Sequence, residues 1–212
     1  MQSQVHSDQV SVVARLAQLG LVESDLRDAV HQGMLALSEC TPNDPPLIPG
    51  ITAWGRVVRS LREGLILKGW SRSDEGNYSL VISPEGTIAI ATATGDEYTG
   101  DPLANPATKS AKGPRTQSAV EINSQQLVLF PDFQPPPSGD DGKATWILLQ
   151  HFDNAKKEVR IELSLPVSYS GRVDGWAERI ILGSLPFDSA ANINVPLLPD
   201  LPDIEVPLRR RA

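Results

Sequence analysis

The chain has 212 residues, ordinary apolar content, few aromatics and a formal net charge of −7. That length supports one good-sized hydrophobic core without disulfides or metals, and the acidic balance argues against a broad surface for nucleic acid or membrane. A single cysteine, Cys40, excludes an internal disulfide and points to a reducing compartment. The opening MQSQVHSDQVSVVARL lacks the basic and apolar regions of a signal peptide. No apolar run approaches the roughly 18 residues a membrane span needs. The expectation is a soluble, cytoplasmic protein with no membrane partner.

Ser7 and Asp8 offer caps for a first helix carrying Val10, Val13, Leu16 and Ala17, which Gly20 stops. Ser24 opens a second, with Leu26, Val30, Met34 and Leu37 on one face and Gly33 inside it. Cys40 to Gly50 is a rigid connector, since Pro42, Pro45, Pro46 and Pro49 lack backbone donors. A third helix then turns Trp54, Val57, Val58 and Leu61 inward and ends at Gly64. Arg56, Arg59 and Arg62 recur on its other side, either as a solvated face or as a ridge for phosphates or an acidic partner.

Strands follow. Leu65 to Ser71 is the first, and Asn77 to Ser83 joins Thr87 to Thr94 through the tight turn Pro84-Glu85-Gly86. Ile88 and Ile90 share one face of the latter strand, and Ala89, Ala91 and Ala93 the other. A face of alanines must be approached closely; a helix from the N-terminal half is the expected cover, and a ligand the alternative. A long loop runs from Gly95 to about Arg115; Thr116 or Ser118 then caps a short helix, with a strand through 126–130 as the alternative or successor. The Pro-rich stretch 131–143 reads as a surface linker. Thr145 to Phe152 and the alternating Val159, Ile161, Leu163, Leu165 form an antiparallel hairpin whose Glu158, Arg160, Glu162 and Ser164 face water. Pro166 ends that run, and a last strand spans Trp176 to Leu182.

The fold class is therefore α+β: about three N-terminal helices (1–64) on a mostly antiparallel sheet of five to seven strands (65–185), in one domain covering 1–185. Beyond it, 186–212 alternates Pro196, Pro199, Pro202 and Pro207 with Leu198, Leu201, Ile204 and Val206. Prolines forbid a helix or central strand there, yet the segment is too apolar for a solvated tail. It reads as an extended arm laid along a surface, either that of its own domain or, the slightly favoured reading, that of a partner or neighbouring subunit.

No motif of known chemistry is complete. His6, His31 and His151 are scattered, Cys40 has no metal-ligand companion, and GxSxG, GxGxxG and the Walker sequence are absent. No cofactor is implied. The 95–115 loop remains. Asp96, Glu97 and Asp101 supply oxygen ligands suited to Mg²⁺ or Ca²⁺. Lys109, Lys112 and Arg115 stand beside hydroxyls and a glycine, as phosphate recognition favours. Alternatively these charges only hold the loop to itself. The leading reading is a non-enzymatic binding or assembly protein using the C-terminal arm and the central loop. A nucleotide or nucleic-acid binder and a metal-dependent hydrolase are the alternatives.

Overall fold

The computed structural model describes residues 3–129 and 142–187. The 131–143 linker falls almost wholly outside the described residues, as do Leu198, Leu201, Ile204 and Val206 of the arm. Chain order is β1 (Gln4–His6), α1 (Gln9–Gln18), α2 (Glu23–Ser38), α3 (Ile48–Ile66), β2 (Ser71–Ser73), β3 (Leu80–Ile82), β4 (Ile88–Thr94), α4 (Pro114–Leu129), β5 (Ala144–Asp153), β6 (Glu158–Tyr169) and β7 (Val173–Pro186). The strands form one seven-stranded sheet in the order β1-β7-β6-β5-β4-β3-β2. Four neighbouring pairs are antiparallel; β1 with β7 and β4 with β5 are parallel. The fold is α+β, as expected, with four described α-helices rather than three.

The helix starts and stops follow local chemistry. Asp8 caps α1 by accepting the Ser11 amide at 3.0 Å, and Gly20 leaves the helix with φ +70°. The inward stripe of α1 is Val12 and Leu16, continued by Leu19; Val10 and Val13 are exposed, so the expected face is rotated by roughly a quarter turn about Leu16. In α2 the expected face holds: Leu26, Val30, Met34 and Leu37 are all buried. Ser24 does not cap it, because Val22 occupies that position. Gly33 has a packing reason. A methyl there would lie 2.3 Å from Val57 Cγ2 and 3.0 Å from the Ala53 carbonyl, so α2 and α3 touch backbone to backbone.

The third helix is longer than its sequence limits. It begins at Ile48, using Pro49 in the first turn where no donor is required, and runs through Gly64 to Ile66. Leu65 is thus a buried helical residue and not the start of a strand, and Trp54 is exposed rather than inward-facing.

Helices α1 to α3 cover one face of the sheet, packing on Ile88, Ile90, Trp146, Leu148, Ile161, Leu163, Leu165 and Ile180. The other face carries Ala93, Ile147, Leu149, Val173 and Trp176, covered through Val120 by α4. The alanine face of β4 therefore looks toward α4 and not toward the N-terminal helices. Asn123, fully buried, fixes α4 in place. Its amide donates to the carbonyls of Thr145 and Pro166, both at 2.9 Å, and its oxygen accepts the Thr145 N–H at 3.0 Å. Pro166 lies within β6, at a register irregularity, instead of ending it. It has no N–H to give β5, and Asn123 replaces the missing ladder bonds.

The expected wet face of β6 is the largest departure from the sequence reading. Glu162 and Ser164 are completely buried. The segment 95–113 folds back over them, and this places the candidate site.

Candidate functional site

Loop 95–113 is stapled to the sheet along its length. At its base Gly95 bridges Thr108, the Lys109 amide donates to the Thr94 carbonyl, and the Asp96 amide donates to Ala107. Further on, Thr108 exchanges bonds with Val173, the Trp176 indole N–H donates to the Pro106 carbonyl at 2.7 Å, and the Asn105 amide donates to the Asp174 carbonyl. The irregular chain between β4 and α4 is ordered by these bonds in place of a strand partner.

The centre of the arrangement is an ion pair. Arg179 on β7 donates to both oxygens of Glu162 on β6, at 2.5 and 3.1 Å, with side-chain exposures of 2% and 0%. The guanidinium also donates to the carbonyls of Ala104 (2.5 Å) and Asp101 (3.1 Å). Glu162 accepts the Gly100 amide at 2.8 Å and the Ser164 hydroxyl at 2.7 Å. Gly100 has φ +78°, and a methyl on it would meet Arg160 Cβ at 2.9 Å. Two buried charges thus spend their remaining bonding capacity on the backbone of 100–104. The tip stays out in solvent: Leu103 is 96% exposed and Tyr98 49%.

The acidic residues singled out in the sequence serve the loop's own turns. Asp96 accepts the amides of Tyr98 (3.1 Å) and Ala107 (2.9 Å), and Asp101 that of Leu103 (2.9 Å). Glu97 is exposed. Among the described residues no group of three His, Cys, Asp or Glu side chains is placed to hold a metal ion.

The basic residues each have their own surroundings. Arg115 pairs with Glu75 at 3.4 Å, and Lys112 lines a cavity beside β4. Lys109 lies near His151. On α3, Arg59 pairs with Glu63 at 2.8 Å and Arg56 is exposed. Arg62 turns to the Asp74 carboxylate at 2.7 Å and to the carbonyls of Ser73 and Leu80. The Arg62 guanidinium and the Ser79 hydroxyl hold Asp74 below the usual carboxylate value.

His151 closes the far end of the loop. Its Nδ1 lies 3.1 Å from the Gly95 carbonyl. Burial, with the Arg160 and Lys109 charges behind it, pushes the imidazole below its ordinary 6.5, against the pull of that carbonyl and of Asp153. Cys40 is half-buried, and burial raises its thiol, the opposite of what a nucleophile requires.

No protein-family model matches the chain, and no curated protein or solved structure matches it.

Glu162 and Arg179 were missed in the sequence as site residues because each sits in a strand at a position that looks polar and solvated. The only local hint is charge inside otherwise apolar runs, ELSL and ERIIL.

Proposed function

We propose that the protein is a non-enzymatic binding or assembly module that presents its 95–113 loop, together with the C-terminal arm, to a protein partner. The observation carrying this reading is the Arg179–Glu162 pair. A buried ion pair adds little net stability over an apolar replacement and is better understood as a device for fixing a conformation. Here its bonds are directed at the backbone on either side of Leu103. A loop ordered in advance avoids much of the cost of about 0.5–1.5 kcal/mol per side chain immobilised on binding. Tyrosine is a residue type that anchors interfaces, and the exposed Leu103 adds apolar area for a hollow on a partner. The Pro-spaced apolar residues 195–208 supply a second, extended contact on the same argument from sequence.

The test is capture from the native host with cross-link mapping, using the intact chain, Leu103→Asp and a chain lacking 190–212. Leu103 is nearly fully exposed, so its replacement leaves folding unchanged while cross-links at the loop disappear. Identical captured proteins and identical cross-links for the intact chain and Leu103→Asp would remove the loop from the reading. Unchanged capture after the truncation would remove the arm.

A further inference from the structure

The sheet has a notch, and we propose that it binds an N-acylated amino-acid carboxylate bearing a short aliphatic side chain, whether a free acid or the C-terminus of a peptide. The pairing of β3 with β4 stops at Val81 opposite Ile90. Two residues further, the same register would put Ser79 opposite Thr92, but no hydrogen bond joins them. Ser79 instead donates its hydroxyl to Asp74 at 2.8 Å, and Arg62 holds that carboxylate. On the other side of the gap β4 is engaged again, where the Lys109 amide meets the Thr94 carbonyl. Backbone groups of alternate strand residues point the same way. Ile88 and Thr94 direct their carbonyls to this side of β4, so Thr92 between them aims its N–H and C=O into the notch.

The notch opens into a cavity of about 180 Å³ lined by Trp54, Ala91, Thr92, Ala93, Thr116 and Ile147 among others. Its volume is below the roughly 300 Å³ at which drug-sized pockets begin, which selects a small ligand. One hydroxyl on its wall is unsatisfied. Thr92 Oγ1 is closed off from solvent and has no partner among the described residues. Thr116, on the same wall, is 4% exposed. Thr116 stands in the first turn of α4, where the earliest intrahelical bond is Gln117 N–H to the Gly113 carbonyl. The amides of Arg115 and Thr116 are therefore the free donors at the positive end of a 16-residue helix.

These groups fit one ligand chemistry. An amide pairs with the N–H and C=O of Thr92 as a strand would. A short apolar side chain lies on Ala91, Ala93 and Ile147, where the alanines leave room. A carboxylate takes the α4 amides and the Thr116 hydroxyl.

The experiment is an amide-resonance titration of the full chain with N-acetyl-leucine, N-acetyl-leucinamide and a hexapeptide ending in leucine. The acid shifts Thr92, Ala93, Arg115 and Thr116 saturably, and the amide binds roughly tenfold more weakly because the charge-assisted bonds are gone. A peptide tighter than the acetylated acid identifies a chain terminus as the ligand; equal or weaker binding identifies the free acid. Thr116→Val, of the same shape, lowers affinity about tenfold, and its unfolding midpoint is read alongside to show that the fold is kept. The proposal is overturned if no saturable shift reaches these residues at about 10 mM, if acid and amide bind alike, or if Thr116→Val binds as the parent does. None of these outcomes bears on the loop, whose test reads Leu103.

Discussion

Replacing Arg179 by methionine removes four hydrogen bonds at once, two to Glu162 and one each to the carbonyls of Ala104 and Asp101. The Glu162 carboxylate would remain at 0% exposure, with only the Gly100 amide and the Ser164 hydroxyl as partners. Both side chains of the pair are essentially inaccessible, so no solvent screening softens the loss. Stranding one member of a buried pair costs about 3–5 kcal/mol, a large share of the 5–15 kcal/mol that holds a typical domain together. Urea unfolding, with a slope of about 1–3 kcal/mol per molar, reads this as a midpoint lowered by roughly 1 M or more. The double variant Arg179→Met, Glu162→Leu removes both charges and returns stability to within about 1 kcal/mol of the parent, or above it. Its loop does not recover, because Gly100 has lost its acceptor and the carbonyls of Asp101 and Ala104 their donor. Hydrogen exchange at Gly100 is then faster in the double variant than in the parent even though global stability is restored. A double variant as unstable as the single one would refute the charge argument. Parent-like protection at Gly100 in the double variant would refute the claim that this pair positions the loop.

Asn123→Leu leaves the Thr145 N–H and the carbonyls of Thr145 and Pro166 buried without partners; at about 1–3 kcal/mol for each buried group left unsatisfied, a loss of roughly 3 kcal/mol or more is expected. Calorimetry would show this as a midpoint about 6–12 °C lower, and a change within about 2 °C would mean that α4 is held by its apolar contacts instead. For His151 the sign follows from burial. The folded chain disfavours the imidazolium while the unfolded chain takes up a proton near the ordinary 6.5. The stability this histidine contributes is present above that value and lost as pH falls through and below it. Urea midpoints at pH 7.5 and 5.5 should differ less in His151→Gln than in the parent; a parent that gains stability on acidification would contradict the assignment.

Much of the fold was legible because local chemistry and periodicity carry it. Asp8 and Gly20 bracket α1, the stripe from Leu26 to Leu37 defines the inward face of α2, and Gly86 (φ +71°) marks the turn between β3 and β4. The alternation in β6 correctly separated two faces, since strand side chains alternate whatever surrounds them. What alternation does not carry is which face is covered. Glu162 meets Gly100 from 62 residues away, and only the return of that distant loop turns a solvated carboxylate into a buried one that must find Arg179. The same holds for Asn123, an unremarkable helix residue in sequence, which is buried because Pro166 on another strand lacks a donor. The candidate site was located in the sequence only as a loop of unusual length. The acids and bases read there as metal and phosphate ligands also meet partners that the sequence does not announce: Asp96 and Asp101 accept backbone amides, and Arg115 pairs with Glu75. Periodicity located most of the elements and the inward face of α2, whereas the inward faces of α1 and α3 and the burial of the polar groups were decided by which segments came to lie over them.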